Sequence, residues 1–213
     1  MKTSNILMLS FVTLSVALMT VVAVKASSEA KKELEKQKMV KNNHDGMVLK
    51  QLPLAAAISI EGSEKLVVVV ECKAEAESKV WIDEAIKNQV EISSKDGVLH
   101  IRSLADDSRG LIVVATATPE SLVVGNSRCI LKNPDAPKMA VTLSGDASLQ
   151  VGEGIVSEVT FIANNSASAS FNGVEVKKWN ITMNGDSELK GVSPNSQLTM
   201  SVAESARVEL AHK

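Results

Sequence analysis

The segment VTLSGDASLQV, from Val141 to Val151, returns about forty residues later as ITMNGDSELKG, from Ile181 to Gly191. Aligning the threonines that follow an apolar residue brings in two more copies, VTFIANNSASASF and LTMSVAESARVEL. Thr142, Thr160, Thr182 and Thr199 then occupy equivalent places, and the repeat advances by about 20 residues per copy. LVVGNSRCILK, from Leu122 to Lys132, reads as a weaker copy before them. Each copy is two short strands about a corner of Gly, Asp, Asn or Ser, too small to bury a core face alone. Stacking buries it, so the pattern predicts a β-solenoid. Within one copy, Val141, Leu143, Ala147, Leu149 and Val151 should point inward and Thr142, Ser144, Ser148 and Gln150 outward.

Before the repeats, from Leu52 onward, short Val-, Ile- and Thr-rich runs alternate with turn residues. AAAISIEG, KLVVVVEC and GLIVVATATP read as strands, the last ended by Pro119. VEISSKDGVLHIRS reads as two strands about a Lys95-Asp96-Gly97 turn. EAESKVWIDEAIKN is expected to form a helical turn with Trp81 or Ile82 in the core.

The N-terminus is of another character. Lys2 precedes an uncharged, mostly apolar run from Ile6 to Val24. The run exceeds the roughly 7 to 15 residues of a signal-peptide core and approaches the roughly 20 needed to cross a bilayer. Length favours a membrane anchor, whereas Val24-Lys25-Ala26 also offers a signal-peptidase site, so residues 1–26 are expected to be an anchor or a cleaved signal peptide. Residues 27–46 carry Glu29/Lys32, Glu33/Lys36 and Glu35/Lys38 at i, i+3 spacing, which predicts a charged helical stem. The lysines after the apolar run would by themselves keep the bulk of the chain on the cytoplasmic side.

The opening LAAAISIEGSEKLVVVVECKAE, the VEISSKDGVLHIRS hairpin, the LIVVATATPESLVVGNSRCIL segment and the Ser/Asn-Gly-Asp corners together resemble the head GIN domain family of Bacteroidota envelope proteins, described as autotransporter adhesins. The resemblance covers roughly residues 52 to 210. It implies a right-handed parallel β-helix-like domain, here 47–213, exported to the periplasm or cell surface, and it brings no catalytic residues. A single membrane segment and stem ahead of the domain also look like members of this family, which outweighs the lysine bias. The expected fold is therefore an all-β parallel solenoid preceded by a hydrophobic helix and a short helical stem.

Candidate sites are few. Asp146 and Asp186 follow glycines in equivalent corners and could hold calcium, but the copy between offers Asn164 and Asn165 and the last Ala203-Glu204. Calcium takes roughly six to eight oxygens, more than alternate aspartates supply, so corner chemistry is the better reading. His44, His100 and His212 have no second ligand at metal spacing. Asp106, Asp107 and Arg109 form the densest charged group a polysaccharide-cleaving β-helix could use, but they read as a solvated turn. Asn164, Asn165 and Asn184 could form an inward ladder at the bends. Cys72 and Cys129 lack metal or redox spacing and are either two small buried residues or a disulfide. With a net charge of −2, no Tyr, two Trp and three Phe, the surface suits neither phosphate runs nor base stacking, and nucleic acid is not an expected partner.

No catalytic, cofactor or metal site is expected. The leading expectation is a non-catalytic, adhesin-like envelope domain, membrane-attached through its N-terminal helix, that binds a protein or glycan through outward Thr142, Ser144, Gln150, Thr160, Thr182 and Thr199. A polysaccharide lyase or hydrolase is the alternative. The chain's last copy exposes a coil edge at Leu210, through which a homo-oligomer could form.

Overall fold

The structure is a computed structural model that describes residues 46–210 apart from Pro194. Two sheets face one another across a single apolar core. The opening elements are β1 (Met47–Pro53), β2 (Ala57–Glu61), β3 (Leu66–Cys72), β4 (Glu77–Asp83), a 3-10 turn at Glu84–Ile86, β5 (Val90–Lys95), β6 (Val98–Ser103) and β7 (Gly110–Thr116). The repeats follow as strand pairs, one strand per sheet: β8 (Ser121–Gly125) with β9 (Arg128–Lys132), β10 (Asp135–Ser144) with β11 (Ser148–Val151), β12 (Gly154–Ala163) with β13 (Ser168–Ser170), β14 (Val174–Met183) with β15 (Glu188–Val192), and β16 (Gln197–Val202) with β17 (Arg207–Leu210).

Each pair is one coil. The first strands of the coils stack in parallel within one sheet, whose full order is β16-β14-β12-β10-β8-β2-β6-β5, and the second strands within the other, β1-β4-β7-β3-β9-β11-β13-β15-β17, with β5, β4 and β1 added at one end. β2 and β3 form a coil too, as do β6 and β7. They are out of chain order: the β2–β3 coil lies between the β6–β7 coil and the β8–β9 coil, parallel to both. From β1 at the outer edge of one end, the chain builds the second coil with β2 and β3, returns to that end with β4 and β5, builds the first coil there, and only then runs on through the repeats.

That end is closed by antiparallel strands. β4 pairs antiparallel with β7, β1 with β4, and β5 with β6 across a turn in which Asp96 and Gly97 both take positive φ. These are the backbone angles that an Asp-Gly hairpin turn supplies at low steric cost. The sheets are thus mixed, which corrects the expectation of a wholly parallel solenoid led by a helix. The expected apolar helix and nearly all of the expected stem fall on residues 1–45, outside the described residues. Gly46 is in a turn and leads directly into strand β1. Among the described residues the helical content is the one 3-10 turn, and no helix is long and apolar enough to cross a membrane.

EAESKVWIDEAIKN also departs from expectation. Glu77–Asp83 is a strand in which Ser78, Val80 and Ile82 point into the core, and only Glu84–Ile86 turns, its first turn capped by the Asp83 carboxylate accepting from the Ala85 N–H at 3.0 Å. The β-branched Val80 and Ile82 at period two outweigh the helix-forming Glu and Lys around them. Beneath this cap the Ser78 hydroxyl is shared between the Ala55 N–H (3.3 Å) and the Thr116 hydroxyl (2.9 Å), which satisfies three buried polar groups together.

The core follows the alternation. Val141, Leu143, Ala147, Leu149 and Val151 are all buried, and one inward row runs Leu99–Ile58–Leu122–Val141–Phe161–Ile181–Met200 through successive coils. Phe161, Phe171 and Trp179 pack edge to face at centroid distances of 6.1 and 4.9 Å. Both cysteines are buried and free. Cys129 lies opposite Val68, four residues from Cys72 on the same strand, or about 13 Å at 3.3 Å per residue. A disulfide needs Cα atoms within about 7 Å, so the two cannot pair. Burial raises both thiols, Cys72 to about 11, and they are small core residues.

Candidate functional site

The outward positions of the strands β8, β10, β12, β14 and β16 form rows that cross the coils. One row is Val123–Thr142–Ile162–Thr182–Ser201 and the next is Ser121–Ala140–Thr160–Asn180–Thr199. Thr142 is half-buried, and Thr160, Thr182 and Thr199 are exposed. The four threonines therefore fall in two rows, two residues apart along the strand, and not in one.

The reason lies in the corners. Asn126, Gly145, Asn165 and Gly185 stand in one column, all with positive φ between 48° and 67°. Counted from this column, Thr142 and Thr182 precede the corner by three residues and Thr160 by five. Registering the copies on the corner instead of on the apolar-Thr pair puts every strand in its observed row. Gly and Asn recur here because they tolerate the left-handed conformation most readily. The aspartates have a smaller part than expected. Asp146 is exposed, and it is its backbone N–H that is bonded, donating to the Asn126 side-chain oxygen of the preceding coil at 3.2 Å.

A third row, Ser144–Asn164–Asn184, borders the corners. The Asn184 amide donates to the Asn164 oxygen at 3.0 Å, so there is a two-rung asparagine ladder, but it lies on the outer surface and not inside the bend. On the opposite border, Glu158 accepts from Lys178 at 2.9 Å and from the Asn180 amide at 3.0 Å, and pairs with Lys138 at 3.5 Å. The hydrogen bond from Lys178 is the chief cause that holds the Glu158 carboxyl below its ordinary value. The neighbouring rows are thus edged by an ion-pair cluster in which two lysines share one carboxylate. With about 4.8 Å between coils, the five strands present a surface about 19 Å long, polar apart from Val123, Ala140 and Ile162.

Ser144 belongs to this surface, and Gln150 does not. Gln150 lies on β11, in the other sheet, in the outward row Ile130–Gln150–Ser170–Lys190–Glu209. The six residues predicted as one binding face are thus divided between opposite sides of the coil stack, because each coil turns through its corner between Ser144 and Ser148. Asn164, Asn180, Asn184 and Glu158, which sequence reasoning did not assign to the face, join it. Their signal was the spacing of 20 residues that links Ala140, Thr160 and Asn180.

The remaining candidates are scattered. Asp106, Asp107 and Arg109 are exposed in the loop between β6 and β7. That loop is held down by Ser63, whose hydroxyl donates to the Ser108 carbonyl at 2.6 Å. His100 points outward between Ser93 and Ser59, beside a shallow depression of about 250 Å³ that also borders Glu61, Glu91 and Arg102. It is smaller than the roughly 300 to 1,000 Å³ of ordinary ligand clefts. Among the described residues no group of three His, Cys, Asp or Glu could hold a metal ion. His44 and His212 lie outside the described residues.

No family model matches the sequence, and no curated protein matches it. Solved structures do. A Bacteroides fragilis protein described as a "putative adhesin" superimposes with a TM-score of 0.54 at 8% identity, over 78% of this chain and 97% of that one. A Parabacteroides distasonis protein described as a "putative lipid binding protein" gives 0.44 at 12% identity over 78% and 97%. A Parabacteroides merdae "putative adhesin" gives 0.40 at 13% identity over 78% and 96%. Through the first of these, the chain has the fold of a solved Bacteroidales protein of adhesin description, in line with its sequence resemblance to the head GIN domain proteins.

Proposed function

We propose that this chain is a non-catalytic, adhesin-like domain of the cell envelope, exported to the periplasm or cell surface, that binds a protein or glycan through the outer surface of β8, β10, β12, β14 and β16. The observation that carries the reading is the set of adjacent rows, Thr142–Ile162–Thr182–Ser201 and Ser144–Asn164–Asn184, which run over successive coils with Ile162 as their one apolar member. Such a surface offers many hydroxyl and amide groups at fixed spacing and little concavity. It is suited to an extended partner held by several weak polar contacts. The adhesin description of the Bacteroides fragilis protein with this fold is consistent with that use.

The test is binding of the full chain to an immobilised panel of envelope glycans and envelope proteins. Replacing Thr142 and Thr182 together with Arg should lower binding at least tenfold, while Gln150→Arg, on the opposite sheet, should leave it unchanged. Equal loss from both variants, or cleavage of any polysaccharide in the panel, would overturn the reading.

A further inference from the structure

The two ends of the coil stack differ. One is closed by β1, β4 and β5, whereas at the other no described residue covers the last coil. Its inward-directed Leu198, Met200, Val202 and Leu210 remain 38%, 51%, 38% and 50% exposed. In the preceding coil the equivalent Trp179, Ile181, Met183 and Val192 are buried. Here β16 and β17 also present unpaired backbone edges. An apolar coil edge with free ladder groups is a template for another strand.

The charges on β17 specify which strand. Arg207 and Glu209 point outward, and Val208 and Leu210 inward. Arg207 lies opposite Glu188 of the preceding coil, and Glu209 opposite Lys190, its carboxylate 3.9 Å from the lysine. A strand added beyond β17 continues this alternation of sign only if it places an acid beside Arg207 and a base beside Glu209. β17 itself, turned antiparallel, does so. In a two-fold pairing, residues directly opposite must share a face, so the axis has to pass through a residue. Centred on Arg207 or on Glu209, the pairing sets like charges together. Centred on Val208, it sets Arg207 against Glu209 of the second copy and Glu209 against its Arg207, the arrangement that cross-strand pairs favour.

The geometry points to a two-fold homodimer in which the open coil ends meet, with β17 paired antiparallel to β17 of a second copy about Val208. The same axis brings the two β16 edges together and covers Leu198, Met200 and Val202. The closed association leaves both capped ends outward, and because the surface used is self-complementary it stops at two copies.

The test uses the full chain. The chain should sediment as a dimer, and Arg207→Glu and Glu209→Arg should each raise the dimer dissociation constant at least tenfold by setting like charges across the seam. Mixing these two variants in equal amounts should restore dimers, since the two acids on β17 of the first variant then face the two arginines on β17 of the second; this recovery also shows that each variant is folded. Val208→Cys should give a covalent dimer on mild oxidation, because opposite residues of an antiparallel ladder lie about 4.5–5.5 Å apart, within disulfide reach. A monomer at all concentrations, an open-ended polymer, dimers indifferent to both charge reversals, or a mixture of the variants that stays monomeric would each overturn the proposal.

Discussion

At the scale of single residues, the corners decide more than their acidic side chains do. Gly145 and Gly185 hold φ of +67°, where any Cβ is strained. A Cβ on Gly185 would also come within 2.9 Å of the Asn165 backbone, which cannot yield as a side chain could. Gly185→Ala should therefore cost about 1–3 kcal/mol in denaturant unfolding. Asp186→Ala at the neighbouring, exposed position should stay within about 0.5 kcal/mol. Equal effects would mean that the corner is held by its acid after all. The contrast explains why the aspartates looked like a repeated ligand. Gly-Asp is turn chemistry in a local sense, and the intervening coil meets the same need with Asn165 at φ 63°.

At the scale of elements, the surface rows have their own energetics. Glu158 is held by Lys178 of the next coil and Lys138 of the preceding one, so three strands are tied through one carboxylate. Its pKa is lowered from the ordinary 4.5, first by the Lys178 hydrogen bond. A depressed carboxylate contributes stability that is present above its unfolded-state pKa and is lost as pH falls through its folded-state value. Glu158→Gln should therefore lower the melting temperature modestly at pH 7, and the gap between variant and parent should close as the pH is taken below 4.5. A gap that stays constant through this range would show that packing, and not charge, is what Gln fails to reproduce. The four threonines also belong to this scale. Two adjacent strands can carry the same apolar-Thr pair and still differ by two residues in register, because register is set where the chain turns and not by which residues resemble one another.

For the whole molecule, stability is close to a sum over neighbouring coils, except where the chain runs out of order. Ala140, Thr160 and Asn180 stand in register at 20-residue intervals, and Gly154 stands opposite Val174. Removing residues 154–173 and joining Glu153 to Val174 should thus leave a folded β protein by circular dichroism that melts at a lower temperature than the parent. The opening region should not tolerate an equivalent loss. The β2–β3 coil is paired on one side with β6 and β7, which follow it across an excursion of about 25 residues, and on the other with β8 and β9. A shortened chain that loses all cooperative unfolding would show that the repeats do not behave as separable coils.

Much of this was legible in the chain itself. The β class, the 20-residue period, the inward set from Val141 to Val151 and the Asp96-Gly97 hairpin all depend on local alternation and on which residues accept positive φ, and these are properties of short stretches. What the sequence could not carry is which strand lies beside which. The insertion of the β2–β3 coil between two later coils, the antiparallel closure at one end and the division of Gln150 from the threonines all depend on pairings between distant segments. A strand of Val and Ile offers the same backbone groups and the same apolar face to many partners. Only the closing of one core, with every inward row in register, selects among them.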